Sequence, residues 1–341
     1  MKLISFAVPS YNSEAYLNRC VDSLLPGGED VEIIIVNDGS KDGTLRIARE
    51  YEAKYPTIVR VVDKENGGHG SGVNAGLDCA TGLFYKVVDS DDWVDKDALL
   101  TILDKIRAFV AAGTVPDTIF CNYVYEHLAT EKQYPVRYKK VFPEGRIFTW
   151  DDTGRFGISQ YIMMHTAIQR REMLLESGIR LPEHTFYVDT LLVYVPLPYT
   201  KTMYYVNVDF YRYYIGRADQ SVNEDALVRR VDQQVRVAKL LIDAFPLEDL
   251  ERMNKKMARY MVHDLSVIMS SVTAVLILAA KKDKSALKTK KELWQYMKDN
   301  NPLMYKRMRF GLGRISNRKT WLGRKISIFF YHMSKRIYKF A

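Results

Sequence analysis

Hydrophobic positions in the first hundred residues follow the period of strands and the period of helices in turn. Short apolar runs predict buried strands at residues 3–8, 31–36 and 59–62, and in a run that ends at Asp89. Helical spacing between them predicts helices at residues 14–25, around Ile47, Ala48 and Tyr51, and around Val73, Ala75 and Leu77. This alternation predicts an α/β fold, with a mostly parallel sheet flanked by helices and joined by right-handed crossovers. Ligands of such sheets bind beyond the carboxyl ends of the strands.

The hydrophobic period becomes helical at about residue 224 and stays helical to the end of the chain. Residues 265–280 carry no charge, and at 1.5 Å per residue they would reach about 24 Å, short of the ~30 Å hydrocarbon core of a membrane. We therefore predict a helix that is buried in protein. Earlier in the chain, residues 134–150 alternate basic and apolar residues, which predicts a β-hairpin.

The chain has 341 residues, 47% of them hydrophobic, enough for a full α/β domain and a smaller helical appendage. The change of period predicts a domain at 1–222 with halves at 1–110 and 111–222, a helical region at 223–300 and a tail at 301–341. The cysteines show no paired or metal-ligand spacing, which is typical of a reducing cytoplasm. No signal peptide is predicted, because Met1 and Lys2 lead directly into the first strand.

Positive charge is concentrated at the end of the chain. Residues 302–341 hold 11 Lys and Arg and no Asp or Glu, so the formal net charge of +9 would be −2 without them. From Trp321 onward, apolar residues recur at helical spacing with basic residues on the other side, which predicts an amphipathic helix on an anionic membrane surface. The alternative is a helix that packs on the protein with its charges in solvent. Nucleic-acid binding is disfavoured by the large apolar face.

The segment from Tyr85 to Trp93 leads an apolar strand directly into Asp89, Asp91 and Asp92. Clustered carboxylates repel each other unless a cation lies between them, and oxygen ligands favour Mg²⁺ or Mn²⁺. These ions commonly share their coordination with the phosphates of a substrate. The alternative is a solvated acidic turn that caps the next helix.

Four motifs together resemble family 2 glycosyltransferases of the GT-A fold. They are Pro9-Ser10-Tyr11-Asn12, Asn37-Asp38-Gly39-Ser40, the stretch from Asn66-Gly67-Gly68 to Asn74-Ala75-Gly76, and Asp89-Ser90-Asp91-Asp92. The resemblance implies a metal-dependent, inverting hexosyltransferase that moves a sugar from a nucleotide sugar, expected to be a UDP sugar. The expected acceptor is a hydroxyl of a saccharide or lipid-linked molecule in cell-surface polysaccharide synthesis, at the inner face of the cell membrane.

The resemblance also implies roles for individual residues. Tyr11 would stack on the nucleotide base, and Asp38 would accept a hydrogen bond from it. Asp89 and Asp91 would form the Asp-x-Asp element, with Asp91 as the direct ligand of the metal. The remaining donor-binding positions expected from the motifs are Pro9, Gly68 and Asn74. We interpret the stretch from Gly67 to Gly76 as a loop that approaches the donor sugar and diphosphate, in which His69 either contacts the donor or is solvated.

The second half of the chain supplies the expected general base. Family members carry a carboxylate before an apolar helix, where most have Glu-Asp and this chain has Val188-Asp189. Asp189 would take the proton of the attacking hydroxyl, which is otherwise a poor nucleophile. The alternative is that Asp189 only caps the helix that follows. In the basic and aromatic segment farther on, Arg212 or Arg217 would reach the diphosphate.

Two other classes of function compete with this interpretation. The run Gly70-Ser71-Gly72-Val73-Asn74-Ala75 fits the dinucleotide fingerprint, which would indicate an NAD-dependent oxidoreductase. Against it, the fingerprint belongs directly after a first strand, whereas here a polar run follows a third predicted strand. A non-catalytic, membrane-associated binding protein on a degenerate transferase fold is the other alternative.

Overall fold

The computed structural model describes residues 1–158, 160–216, 223–310, 312–318 and 320–338. Its chain forms two compact units. The first comprises Met1–Gly154 and Ile162–Tyr214, and the second comprises Arg155–Tyr161 and Ile215–Ala341. The boundary at Tyr214 lies close to the end of the predicted domain at residue 222, and the short segment at 155–161 joins the second unit although it lies far earlier in the sequence.

The first unit is built on one mixed sheet. Its strands are β1 (Ile4–Ser10), β2 (Val31–Asp38), β3 (Val59–Lys64), β4 (Phe84–Val87), β5 (Trp93–Val94), β6 (Thr118–His127), β7 (Lys132–Val136), β8 (Ala167–Arg170) and β9 (Met203–Tyr214). They lie in the order β3-β2-β1-β4-β8-β6-β9-β5, and β7 pairs with β6. The first four strands pair in parallel, whereas β8 is antiparallel to β4 and β6. The predicted α/β fold is confirmed.

Helices of the first unit are α1 (Leu17–Leu24), α2 (Thr44–Lys54), α3 (His69–Cys79), α4 (Lys96–Ala112), α5 (Arg171–Glu176) and α6 (Asp189–Tyr194). All seven residues of β1 are buried, as expected of a central parallel strand with both faces covered. Because β1, β2 and β4 run in the same direction, their carboxyl ends bring Tyr11, Asp38 and Asp89 to one edge of the sheet.

The helix predicted around Val73, Ala75 and Leu77 is α3. It begins at His69, so most of the stretch from Gly67 to Gly76 is helix and not the loop that we expected. Its glycines allow close packing. A Cβ atom at Gly72 would lie 3.0 Å from the Cβ of Pro9, and one at Gly76 would lie 2.6 Å from the Cβ of Ala7. Absence of side chains at these positions therefore lets the helix lie directly on β1.

The predicted hairpin at residues 134–150 is also wrong. The hairpin that forms joins β6 to β7, with Tyr125 opposite Tyr134. The apolar residues that follow pack as an aromatic cluster instead: the ring of Phe142 stacks on Phe120, Tyr138 and Phe148 at centroid distances of 4.5, 5.5 and 5.6 Å. Alternation in this segment therefore reflects buried rings in turns, not a strand.

The second unit is helical. Its helices are α7 (Glu224–Arg229), α8 (Val231–Ala244), α9 (Leu247–Met253), α10 (Lys255–Ala279), α11 (Ser285–Asn300), α12 (Pro302–Met308), α13 (Leu312–Ser316) and α14 (Trp321–Tyr338). In the described part of the chain, α10 alone has the length and composition to cross a membrane. Most of its apolar stretch is buried, and it contacts every other helix of the unit, so it forms the core that the sequence predicted.

The predicted amphipathic helix of the tail is α14, and it has two different faces. Tyr331 packs against Ala274 and Leu278 of α10. Other large apolar side chains stay exposed, with 62% of Trp321 and 64% of Phe329 accessible to solvent. We call this surface the exposed face of α14; its apolar members are Trp321, Leu322, Phe329, Phe330 and Met333.

The close contact at Gly76 predicts whether a substitution there raises or lowers the free energy of unfolding. Helix propensity alone would make Gly76→Ala more stable by about 1 kcal/mol. Because the new Cβ would meet Ala7 at 2.6 Å and the hydroxyl of Tyr85 at 3.1 Å, we expect the free energy of unfolding to fall by roughly 1–3 kcal/mol. Urea unfolding measures it; increased stability would contradict the packing of α3 on β1.

Candidate active site

Asp38 ends β2, and its carboxylate is only 3% exposed. It accepts hydrogen bonds from the backbone of Gly67 (2.9 Å) and Gly68 (2.8 Å) and from Lys64 Nζ (2.9 Å). The two backbone bonds fix the start of α3, because Gly68 is its N-cap residue with a φ of 83°. Asp38 thus already has three protein donors, and its contact with a base stays a prediction.

Tyr11 follows β1 at the same edge, and about half of its side chain (51%) is exposed. Pro9, in contrast, is buried inside β1 against Gly72. Beside Tyr11, Asn12 accepts a hydrogen bond from the backbone of Lys41 (2.9 Å), and its own N–H donates to Ser40 (3.0 Å). These bonds hold the first two motifs together and leave the ring of Tyr11 available to stack on a flat ligand.

The acidic cluster, Asp89 to Asp92, lies just beyond β4. Asp92 is fully buried and accepts hydrogen bonds from the hydroxyl of Tyr211 (2.7 Å) and the backbone of Tyr214 (2.8 Å). Burial, with added repulsion from Asp91 and Asp89, raises the pKa of Asp92 well above its usual value. Asp92 is therefore a structural member of the cluster, tied to β9.

Asp89 is partly exposed and is bonded to Nε2 of His69 at 2.8 Å. Burial opposes ionisation of Asp89, but attraction to His69 outweighs it and lowers the pKa of the carboxyl. The reciprocal effect raises the pKa of His69, although burial alone would lower it. The next acidic residue, Asp91, is fixed through its backbone: its carbonyl accepts a hydrogen bond from Arg19 (2.7 Å), whose guanidinium lies 4.0 Å from the ring centre of Trp93.

Two buried groups that sequence reasoning did not assign lie beside the cluster. Lys86 is 1% exposed and donates to the carbonyls of Met164 (2.5 Å) and His165 (2.8 Å). Burial lowers its pKa to about 8. The signal in the sequence was a lysine inside an otherwise apolar strand. No comparable pattern marks His165 in the sequence, because it lies in an irregular segment just before β8.

The ring of His165 is 97% buried, stacks on Tyr213 at 4.5 Å, and has no hydrogen-bond partner at either nitrogen among the described residues. Burial lowers its pKa to about 3, so the imidazole is neutral and keeps a lone pair. One ligand atom each from Asp89, Asp92 and His165 lie within 4.8 Å of one another. This donor set fits a divalent cation that accepts nitrogen as well as oxygen. Asp91 lies outside this group.

Asp189 is the first residue of α6, after the N-cap Val188, and its carboxylate accepts backbone N–H groups of Asp189 and Thr190 at the start of the helix. Capping of α6 therefore stays an alternative to the role of base. Burial raises the pKa of Asp189, attraction to His69 lowers it, and repulsion from Asp89 raises it further. The net pKa is above the usual value. These interactions bring Asp189 and the acidic cluster to one site, from segments about a hundred residues apart.

Residues 5–172 match the family model described as glycosyl transferase family 2. These residues, just under half of the chain, form a glycosyl transferase family 2 domain. The sequence of the chain is 36% identical over 163 residues to the putative glycosyltransferase EpsH of Bacillus subtilis (43% of this chain, 45% of that protein). It is 41% identical over 101 residues to the poly(ribitol-phosphate) beta-glucosyltransferase of Bacillus spizizenii (28% and 16%). The chain thus spans less than half the length of both relatives.

The fold of the chain resembles that of solved structures. TarS of S. aureus, residues 1–349 in complex with UDP-GlcNAc, superposes with a TM-score of 0.67 at 19% identity, covering 98% of this chain and 92% of that one. The mannosyltransferase PcManGT of Pyrobaculum calidifontis, in complex with GDP-Man and Mn²⁺, gives 0.50 at 15% identity, covering 92% and 86%. These likenesses agree with the expected GT-A fold.

The structure does not bring every predicted donor-binding residue to the acidic cluster. Arg212 binds Asp95 and Glu126, each at 3.0 Å, and lines a separate pocket of about 370 Å³ with Arg137 and Lys139. To reach a diphosphate, its guanidinium would have to leave two carboxylates, so that role stays a prediction. Arg217 lies outside the described residues.

Gly68 and Asn74 face the second half of the domain. A Cβ atom at Gly68 would lie 3.2 Å from the backbone nitrogen of His184. The side-chain amide of Asn74 is bonded to the backbone of Leu181. Both predicted donor-binding residues thus contact the segment that leads to Asp189, and their contact with a donor stays a prediction.

Proposed function

We propose that the protein is an inverting glycosyltransferase that moves a sugar from a UDP sugar to a hydroxyl of a saccharide or lipid-linked acceptor in cell-surface polysaccharide synthesis. One observation carries this proposal: α3 is bonded through His69 to Asp89 and through Ser71 and Asn74 to the segment that leads to Asp189. This pairing of a candidate base with a candidate metal site is what the transfer requires. The UDP-GlcNAc bound by TarS and the polymer product named for the Bacillus spizizenii relative support the substrate class.

The chemistry assigns a task to each group. A hydroxyl of the acceptor attacks the anomeric carbon from the face opposite the diphosphate, so that the new C–O bond forms as the bond to the diphosphate breaks. Asp189 accepts the hydroxyl proton, and its raised pKa makes it a stronger base than an ordinary carboxylate. Mn²⁺ or Mg²⁺, when bound, stabilises the negative charge that develops on the diphosphate. Asp89 and Asp91 are the proposed ligands, and the ligand atoms of Asp92 and His165 lie within 4.8 Å of that of Asp89.

The position of the dinucleotide fingerprint in the structure argues against the oxidoreductase alternative. Its fingerprint, Gly70 to Ala75, lies within α3 and not in a turn between a first strand and a helix. Its glycines pack against Pro182 and Pro9, so they serve contacts inside the protein. The non-catalytic alternative differs from the transferase in one measurable property: it would neither transfer nor hydrolyse any nucleotide sugar.

We further propose that the protein docks on the inner, cytoplasmic face of the cell membrane through the exposed face of α14. Exposed aromatic side chains such as Trp321 and Phe329 suit the headgroup boundary of a bilayer. Basic residues of the tail would each add about 1 kcal/mol near an anionic surface. An apolar surface of this kind does not fit nucleic acid.

For the metal, we expect Asp91→Asn to remove most of the Mn²⁺-dependent part of UDP binding, because the neutral amide is a weaker ligand of nearly the same shape. Calorimetry with UDP, with and without Mn²⁺, measures this. Asp97→Asn is the matched control, since Asp97 is an exposed carboxylate in the first turn of α4. Equal UDP affinity with and without Mn²⁺ in the wild type would contradict metal dependence. If His165→Gln loses the Mn²⁺-dependent part of UDP binding and Asp91→Asn does not, the ion is bound by Asp89, Asp92 and His165 instead.

For the base, we expect Asp189→Asn to lower turnover on the order of 10²- to 10⁴-fold, the usual range for losing a general base. The affinity for UDP and Mn²⁺ should stay the same, because Asp189 acts on the acceptor. Single-turnover transfer from a radiolabelled UDP sugar measures the first effect and calorimetry the second. Near-normal turnover in this variant would show that Asp189 has only a structural role in α6.

For the membrane, we expect the double variant Trp321→Ser, Phe329→Ser to bind anionic vesicles at least about tenfold more weakly, because each buried aromatic side chain contributes roughly 1.5–3 kcal/mol. The loss should persist at high salt, which screens the basic residues but not apolar burial. Met253→Ser is the matched control, as Met253 is 57% exposed on α9. Wild-type protein that stays in solution with anionic vesicles at low salt would show that α14 is only structural.

A further inference from the structure

The side-chain amide of Asn74 makes two hydrogen bonds to one residue of the second half of the domain. Its Nδ2 donates to the carbonyl of Leu181 (2.9 Å), and its Oδ1 accepts from the backbone N–H of the same residue (3.0 Å). These two bonds hold Leu181, in the second half of the domain, against α3. Because one donated and one accepted bond go to the same residue, they fix the plane and orientation of the Asn74 amide on Leu181.

The bonds of Asn74 are part of a row along the first turns of α3. The hydroxyl of Ser71 donates to Glu183 (2.8 Å), and the backbone of His184 donates to the carbonyl of Gly67 (2.6 Å). Gly70 allows the close approach, because a Cβ atom there would lie 2.7 Å from the carbonyl oxygen of Pro182. We call residues 181–188 the base loop, since Asp189 follows them directly.

The base loop depends on these contacts for its shape. His184 and Tyr187 have φ values of 47° and 65°, in the left-handed region that costs free energy for residues other than glycine. Such backbone persists only when its surroundings hold it. The bonds from α3 lie at the beginning of the loop, and Asp189 lies at its end. Loss of the bonds would let the loop relax and Asp189 move.

The other side of α3 is bonded to the first half of the domain, residues 1–110. Asp38 accepts the N–H groups of Gly67 and Gly68, and His69 is bonded to Asp89. The first turns of α3 therefore contact the acidic cluster on one side and the base loop on the other. The distance between the metal site and the base is set by this one element.

We propose that Asn74 and Ser71 are positioning residues that hold Asp189 at its working distance from the reacting carbon, and that they do not bind the donor. This inference rests on the proposed function, in which Asp189 is the base. Displacement of a reacting group by about 1 Å can cost about 10²-fold in rate. The positioning role therefore predicts a loss of turnover without a loss of donor affinity.

The test is a double-mutant cycle between Asn74→Ala and Asp189→Asn. We expect Asn74→Ala alone to lower kcat by roughly 10- to 100-fold and to leave the Kd for UDP and Mn²⁺ unchanged within about twofold. In the Asp189→Asn background the same substitution should have little effect, because no base remains to be displaced. Ser71→Ala, which removes a single bond, should show the same pattern with a smaller loss.

Asp78→Asn is the matched control. Asp78 also lies on α3 and pairs with Arg180, next to the base loop, but both side chains are more than half exposed, so we expect normal turnover. Amide exchange at Leu181 should be faster in Asn74→Ala and normal in Asp78→Asn, which checks that the bond is lost in a folded protein.

Several outcomes would overturn the inference. Weaker UDP binding in Asn74→Ala, or an equal loss of turnover in both backgrounds, would make Asn74 a donor-binding residue. Normal turnover in both Asn74→Ala and Ser71→Ala would show that the bonds are dispensable. These results refute only the positioning role. Absence of any transfer by the wild type, or normal turnover in Asp189→Asn, would refute the proposed function first.

Discussion

Three carboxylates within four residues follow β4, and much of the surrounding structure offsets their repulsion. His69 binds Asp89, and two groups of β9 bind Asp92. Arg19 holds the backbone between them. Because an uncompensated buried carboxylate is costly, these partners must be in place for the loop to keep its shape. They come from α1, α3 and β9, so the acidic cluster connects distant parts of the first unit.

Helix α3 shows how glycine can serve packing and not flexibility. Gly72 and Gly76 lie against β1, and Gly70 lies against the base loop, at distances that a side chain would prevent. The same residues suggest a dinucleotide fingerprint when only the sequence is considered. A run of glycines indicates close approach of some partner; whether the partner is a ligand or another segment depends on what the fold places there.

Much of the fold followed from local patterns. The strands that end near Ser10, Asp38 and Asp89 were predicted because hydrophobic period and turn residues are local properties of the chain. The helical second half and the buried α10 were predicted for the same reason. Errors arose where one pattern has two causes: alternation at residues 134–150 came from stacked rings around Phe142, and the glycine-rich stretch proved to be helical.

By itself, the sequence determined the α/β alternation, the placing of polar motifs at the carboxyl ends of strands, and the basic amphipathic tail. Tertiary structure alone decided the partners of the site: Asn74 with Leu181, 107 residues apart, and Asp92 with Tyr211, 119 residues apart. It also placed His165 beside Asp89 and gave α14 a buried face and an exposed one. The physical reason is that period and propensity act over a few residues, whereas hydrogen bonds across a sheet join segments whose proximity no local pattern encodes.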